Sequence, residues 1–273
     1  MFTPVSLKGK LFQRYLRTFS HPAKIRIQNM WGKYFFSGGM TLKNEDQLRF
    51  VLDANDWITR IFLLQGNYES GSTQLAKKIM EPGGIFVDVG ANFGLFTCQV
   101  AHGNKAIKVF SIEPNYKITG RLLHNIQMNE LQEQVKVLNM AVSRKIQFVS
   151  LKQPAADNIG TTQTVAGSGG ELSVLSSSLD FILQQNGLTK IDLLKIDIEG
   201  NEFDILEDFP FEEYPVKNII LEFNHLSSVS FETLQLFFKG KGFKSFTITG
   251  KPLLTEMEGL PENNIWLVNQ HNH

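Results

Sequence analysis

The residues with the most chemical content lie in one run, Ile85-Phe86-Val87-Asp88-Val89-Gly90-Ala91-Asn92-Phe93-Gly94. An apolar stretch carries a carboxylate, turns on glycines and opens into a helical pattern from Phe93 to Ala101. A nucleotide-binding α/β domain keeps its phosphate loop at such a place. Here the G-x-G-x-x-G pattern is broken, because Asn92 stands where a second glycine would let the backbone touch a pyrophosphate. Asp88 would repel a pyrophosphate and attract a ligand carrying an ammonium and a sulfonium.

Further polar residues fall at the ends of other apolar runs. Glu113, followed by Pro114 and Asn115, lies about 20 residues beyond the glycine loop, the usual place of an acid that binds a ribose diol. Read alone it would be a solvated loop acid, and its coincidence with the Asp88 loop favours the ribose. Asn139 and Ala141, either side of Met140, are placed to line an adenine ring, where backbone contacts would suffice. The run Lys195-Ile196-Asp197-Ile198-Glu199-Gly200 closes another apolar stretch, and strand alternation puts Lys195, Asp197 and Glu199 on one side. Charges there are costly to desolvate unless a ligand or mutual pairing compensates them. A Lys195–carboxylate pair followed by an acidic first helical turn accounts well for Glu202 and poorly for Asp197. Glu222 ends the next apolar run, and His225 follows shortly after. Cys98 lies on the helix after the glycine loop and reads as a buried packing residue. The six histidines show no metal-ligand spacing, so no metal site is expected.

These residues need a scaffold that brings strand ends together. The pattern predicts a strand over 47–53, a short helix or turn over 56–62 and a helix over 72–80 ended by Pro82-Gly83-Gly84. Strands follow at 85–89, 107–112, 135–140, 191–196 and 216–223, separated by helices from 93, over 116–129, 202–206 and 231–239. This alternation implies a mainly parallel sheet with right-handed crossovers, whose ligand lies across the carboxyl ends of the strands. Residues 146–151 form a strand expected to turn back antiparallel to the strand before it. Residues 157–170 read as a long polar loop, and 243–249 with 264–268 as a strand pair closing a sheet edge.

The 273 residues suffice for one substantial core. A single cysteine excludes an internal disulfide framework and fits a reducing compartment. No apolar run approaches the roughly 20 residues of a membrane span, and no signal-peptide pattern is present. A cytoplasmic location follows as the expectation, with contact to the inner face of a membrane left open. The net charge of zero hides an asymmetry. Residues 1–44 carry eight Lys and Arg and no acid, which leaves 19 of the chain's 27 positive charges to face all 27 acids in the rest, a net of −8. The same arm holds eight aromatic residues, and Leu7, Leu11, Tyr15 and Phe19 recur at helical spacing with Arg14 and Arg17 on other faces. Such an arm packs on the acidic body, pairs with a second subunit, or lies on an anionic membrane. No nucleic acid partner is expected. The division is therefore an arm at 1–44 and a domain at 45–273, with a lead-in at 45–84 and a cofactor-binding core at 85–273.

Taken together, Tyr68-Glu69, the 87–94 run, Ile112-Glu113-Pro114-Asn115, Ser178-Leu179-Asp180 and the 192–200 run resemble the FkbM family of S-adenosylmethionine-dependent methyltransferases over roughly residues 45–250. The resemblance implies a class I methyltransferase fold: Rossmann-like α/β, a seven-stranded mostly parallel sheet with helices on both faces, here preceded by a helical or hairpin extension. It implies S-adenosyl-L-methionine as cofactor and O-methyl transfer to a hydroxyl of a polyketide, sugar or other small molecule. Asp88, Gly90, Asn92 and Gly94 would hold the methionine portion and Glu113 the ribose. Tyr68 and Glu69 would close the site, and Lys195, Asp197 and Glu199 would face cofactor and acceptor. Asp197 or Glu222 would be the general base, its pKa raised by burial, with His225 a further candidate. The loop after the third strand departs from the family pattern, because Asn158-Ile159-Gly160 matches only loosely and a Gly/Ser/Thr insert follows. Two other readings stay open: a cofactor-binding scaffold without catalysis, and an NAD(P)-dependent oxidoreductase, which Asp88 and Asn92 disfavour.

Overall fold

The computed structural model describes residues 3–4, 6–18, 22–35, 40–44, 46–52, 69–152, 163–166, 172–198, 202–223, 227–253 and 263–271. The chain opens with β1 (Thr3–Pro4), α1 (Leu7–Thr18), α2 (Lys24–Phe35), β2 (Met40–Lys43) and β3 (Arg49–Leu52). Then come α3 (Ser70–Ile79), β4 (Gly84–Val89), α4 (Leu95–Ala101), β5 (Ile107–Ile112), α5 (Tyr116–Met128) and β6 (Val135–Leu138). An insert of β7 (Ala141–Val142), β8 (Gln147–Lys152), β9 (Gln163–Ala166) and β10 (Leu172–Ser177) precedes α6 (Leu179–Gln185) and β11 (Ile191–Ile196). The chain closes with α7 (Glu202–Glu207), β12 (Val216–Glu222), α8 (Phe231–Gly240), β13 (Phe243–Thr247) and β14 (Asn264–Asn269).

Seven strands form the main sheet in the order β13-β14-β12-β11-β4-β5-β6. Only β14 runs against its neighbours, pairing antiparallel with both β12 and β13. The order reverses at β4, because the chain builds outward through β5 and β6 and then returns to β11 on the other side. That reversal leaves a crevice at the carboxyl ends of β4 and β11. All six residues of β11 are buried, as a central parallel strand requires. Phe86, Val109, Leu193 and Ile220 pack under α3, α4 and α5, whereas Val87, Leu194, Ile219 and Leu267 pack under α6, α7 and α8. Helices thus cover both faces. No helix among the described residues is long and apolar enough to cross a membrane.

The N-terminal segment is tied to this body. Phe12 and Leu16 of α1 join the core beside Leu48, Phe50, Ile118 and Ile126. The buried side of α1 is Gly9, Phe12, Gln13 and Leu16, while Leu7 and Leu11 of the expected stripe are exposed. Two i, i+4 apolar pairs compete on this helix, and contact with the body selects the second. Strand β2 pairs with β3, so residue 44 falls within that hairpin. The open edge of β3 is satisfied by α5. Asn129 accepts from the Arg49 N–H (2.8 Å) and donates to its carbonyl (2.7 Å), and Asn125 accepts from the Val51 N–H (2.8 Å). The buried Asn125 amide also donates to the Phe93 carbonyl (2.8 Å), which links the hairpin to the glycine loop.

Two expectations are overturned in the insert. Strand β8 does not turn back on β6; it belongs to a separate four-stranded sheet, β7-β10-β8-β9, where it pairs antiparallel with β10 and β9. The segment expected as a loop supplies β9, and β10 follows it. Ile146 and Phe148 are 60% and 72% exposed while Val149 and Leu151 are buried, so the run turns one apolar face outward and one inward. The segment over 56–62 and the Asn158-Ile159-Gly160 motif lie outside the described residues.

Candidate functional site

The last ladder pairs of the central strands are Val89 with Ile112, Val89 with Ile196, and Ile196 with Leu221. One residue further on, Glu113, Gly90, Asp197 and Glu222 form an upper row across the carboxyl ends of β5, β4, β11 and β12. Two residues below it on the same face, Ser111, Asp88, Lys195 and Ile220 are in register. Two rows of charge under the amino ends of α3 and α4 therefore follow from strand register alone.

Gly90 makes this packing possible. Its φ is +82°, and a Cβ there would lie 1.8 Å from the Asp197 carbonyl oxygen, so no side chain fits. The Asp197 N–H donates to the Val89 carbonyl (3.0 Å), and the N–H groups of Gly90 and Ala91 both donate to the Ile112 carbonyl (2.9 and 3.0 Å). Asn92 also has a positive φ of 51°. Its backbone N–H donates to Glu113 Oε2 (3.0 Å), while its side chain accepts from the Phe93 N–H (2.8 Å). Gly94 caps α4 in a left-handed conformation.

Glu113 is buried and holds the β4 and β5 loops together. Its Oε1 accepts from the Asn115 N–H (2.9 Å), as its Oε2 does from Asn92. Burial pushes its pKa up to about 7 against the pull of the two backbone bonds, with Asp88 and Asp197 adding to the rise. Asn115 caps α5 through the Lys117 N–H (3.1 Å). Asn139 donates to the carbonyls of Glu113 (2.9 Å) and Pro114 (3.0 Å), so its side chain buttresses the loop. Ala141 is buried at the start of β7.

Asp88 is fully buried beneath α4. Its Oδ2 accepts from Thr97 Oγ1 (2.5 Å), and because the Thr97 proton is used there, Ser111 donates in turn to Thr97 (2.8 Å). Burial, above all, raises the Asp88 pKa; the charge of Lys195 and the Thr97 hydroxyl oppose the rise. Asp88 Oδ1 is buried with no hydrogen-bond partner among the described residues. Thr97 and Ser111 escaped the sequence reading. Their signal was the alternation Val109, Ser111, Glu113 along β5 and the four-residue step from Phe93 to Thr97 along α4.

Lys195 is equally buried. Its Nζ lies 2.8 Å from Asp197 Oδ2 and 5.2 Å from the centre of the Phe96 ring. Burial would depress the ammonium, but the charges of Asp197, Glu69 and Asp88 outweigh it and hold its pKa above the ordinary lysine value. Asp197 responds in the opposite sense. Burial would raise it, but Lys195 and a hydrogen bond with Glu222 hold its pKa below the usual value. The raised carboxyl groups are therefore Asp88 and Glu113, not Asp197. Glu222 faces Asn264 of β14, whose amide donates to Ser72 in the first turn of α3 (3.0 Å). Glu69 caps α3 with φ 46°. Tyr68, Glu199 and His225 lie outside the described residues. Cys98 is buried, and burial followed by the Asp88 charge pushes its thiol up, which suits a packing role.

These residues fit S-adenosylmethionine. Among the described residues, Glu69, Asp88, Glu113, Asp197 and Glu222 gather around one ammonium, that of Lys195, an acidic surround suited to a cationic ligand and hostile to a pyrophosphate. Each Glu113 oxygen accepts one backbone bond, which leaves lone pairs for a diol. The bare Gly90 turn lets a ligand approach the backbone.

A family model described as the methyltransferase FkbM domain matches residues 88–245, more than half of the chain. The methyltransferase sdnD of Sordaria araneosa is 25% identical over 169 residues, covering 50% of this chain and 65% of that protein, just under two thirds of its length. The hexuronic acid methyltransferase AglP of Haloferax volcanii is 27% identical over 175 residues, covering 64% of this chain and 69% of that protein. Among solved structures, the O-methyltransferase from Bacillus cereus in complex with SAH has 10% identity and a TM-score of 0.45, over 80% of this chain and 92% of that chain. The family match begins at Asp88 and runs into β13, so it takes in both charged rows, and the chain belongs to the methyltransferase FkbM domain family.

Proposed function

We propose that the protein transfers a methyl group from S-adenosylmethionine to a hydroxyl oxygen of a saccharide or other small molecule. The observation that carries this reading is the upper row: one buried acid, a bare glycine turn and two adjacent carboxyl groups in register at the strand ends. When bound, S-adenosylmethionine supplies a methyl group already activated by its sulfonium. Glu113 would accept the ribose hydroxyls, and the backbone of Gly90 to Gly94 would hold the methionine portion. Glu69, with Tyr68 beside it, would close the site from α3. Asp197 and Glu222 would face the acceptor, and Glu199 and His225 are further candidates for that role. Similarity to a protein named as a hexuronic acid methyltransferase favours a saccharide acceptor.

The protein's remaining tasks are alignment and proton removal. The acceptor oxygen forms its bond to the methyl carbon as the carbon–sulfur bond breaks, and the electron pair of that bond stays on sulfur. The hydroxyl proton becomes strongly acidic as the new bond forms, so a carboxylate of lowered pKa is a sufficient base. Lys195 keeps Asp197 ionised and fixed in place to take that proton, and Glu222 is hydrogen-bonded to it.

The test is transfer from labelled S-adenosylmethionine to a panel of hydroxylated saccharides and small molecules, with products mapped by mass spectrometry. An alkali-stable O-methyl ether supports the reading. An alkali-labile methyl ester, or methyl on nitrogen or carbon, overturns it.

A further inference from the structure

The two N-terminal helices turn an apolar and basic face to solvent. On α1 the side opposite the core carries Leu7 (74% exposed), Leu11 (61% exposed), Arg14 and Thr18, flanked by Lys8 and Lys10. On α2, Arg26, Met30 and Tyr34 recur every four residues on one exposed stripe, with exposed Trp31 beside it. Phe12 stacks on Phe35 with ring centres 4.5 Å apart and fixes one helix against the other. Lys8 Nζ lies 5.7 Å over the Tyr34 ring, and Trp31 packs edge-on against Tyr34, so the two exposed faces meet. Exposed large apolar side chains on adjoining helices mark an interaction surface.

We infer that this face docks on an anionic lipid membrane. Residues 1–44 carry eight Lys and Arg and no acid, so the rim is of one sign and complements anionic headgroups. Trp31 and Tyr34 join an apolar ring to a polar tip, the chemistry of the headgroup boundary. Leu7, Leu11 and Met30 supply apolar area that phosphates of a nucleic acid would not use. Pairing this face with its own copy would bring two basic rims together, which the charge opposes. Shallow seating of paired helices needs no spanning segment, and none is present among the described helices.

The test is co-sedimentation of the full chain with phosphatidylcholine vesicles, with and without phosphatidylglycerol. Binding is expected only to the anionic vesicles and is released by high salt. Lys10→Glu with Arg14→Glu should weaken it about tenfold or more. Leu7→Ser with Leu11→Ser should weaken it as well, while stabilisation of both variants by S-adenosylhomocysteine shows that they are folded. Absence of binding to anionic vesicles overturns the inference. So does a dimer in solution that the Leu7 and Leu11 changes dissociate without any vesicle binding.

Discussion

Lys195 Nζ stands 2.8 Å from Asp197 Oδ2, two positions along the same strand end, and in register with the buried Asp88 of the neighbouring strand. One ammonium thus compensates a carboxyl group in each charged row. Removing it leaves buried charge without a partner, a far larger penalty than the pair's own contribution. Lys195→Met is expected to destabilise the protein by about 3 kcal/mol, read from the urea midpoint. Adding Asp88→Asn should recover part of that loss, because the fully buried carboxyl group no longer needs a counter-charge. A silent Lys195→Met would contradict the pairing.

Asp197→Asn and Glu222→Gln separate the base from its neighbour. With Asp197 as the proposed base, Asp197→Asn is expected to slow methyl transfer by ~10²–10⁴-fold, with the loss in kcat, because a proton acceptor acts in the transition state, whereas Glu222→Gln, which alters a hydrogen-bond partner of that base, should cost less. Thermal stabilisation of Glu222→Gln by S-adenosylhomocysteine should persist, since Glu222 lies on the β14 side of the row, away from Glu113. If both variants turn over at the parent rate, the proton leaves by another route.

Much of this site was legible from residue order, for a physical reason. Glu113, Asp197 and Glu222 close apolar strand runs, and in a parallel sheet those runs end on one edge, with Asp88 two residues below it inside β4. What escaped was set by tertiary partners. Leu7 and Leu11 look like a packing stripe, yet Phe12 and Leu16 face the core because Leu48 and Phe50 lie there. The run 146–151 reads as a strand turning back on the one before it, yet β8 finds its partners in Gln163–Ala166 and Leu172–Ser177, which carry a weak strand signal. Asp88 reads as a strand-end charge, and nothing in residue order signals that its Oδ2 accepts from Thr97, with Ser111 behind it, under α4. No local pattern announces a hydroxyl pair assembled from a helix and a strand.

Gly90→Ala is expected to damage site and fold together. The added methyl group meets the Asp197 carbonyl at 1.8 Å, at a φ that strains any side chain. Relief requires β4 and β11 to part at the upper row. The expected loss exceeds about 1 kcal/mol in stability and abolishes stabilisation by S-adenosylhomocysteine. Gly103→Ala is the control, because its φ of +85° carries the same backbone strain in open space. Equal effects of the two changes would show that the close approach to Asp197 is unimportant.

Glu113 gives the protein a pH dependence of definite sign. Its pKa rises from 4.5 to about 7 on folding, with burial as the main cause. Between those values the folded state binds more protons than the unfolded state, so stability falls as pH rises from about 4.5 to about 7. The full effect is on the order of 3 kcal/mol and persists above pH ~7. Glu113→Gln removes the titration while keeping an acceptor for the backbone N–H groups of Asn92 or Asn115. The difference in urea stability between parent and variant should therefore shift toward the variant through this window, which isolates Glu113 from Asp88, whose pKa is also raised. Cofactor affinity should move the other way. On the proposed role, ionised Glu113 would attract a cationic ligand and accept its hydroxyls, so the parent's affinity for S-adenosylmethionine should climb through pH 7 more steeply than that of Glu113→Gln. Parallel profiles for the two proteins would remove Glu113 from the binding site.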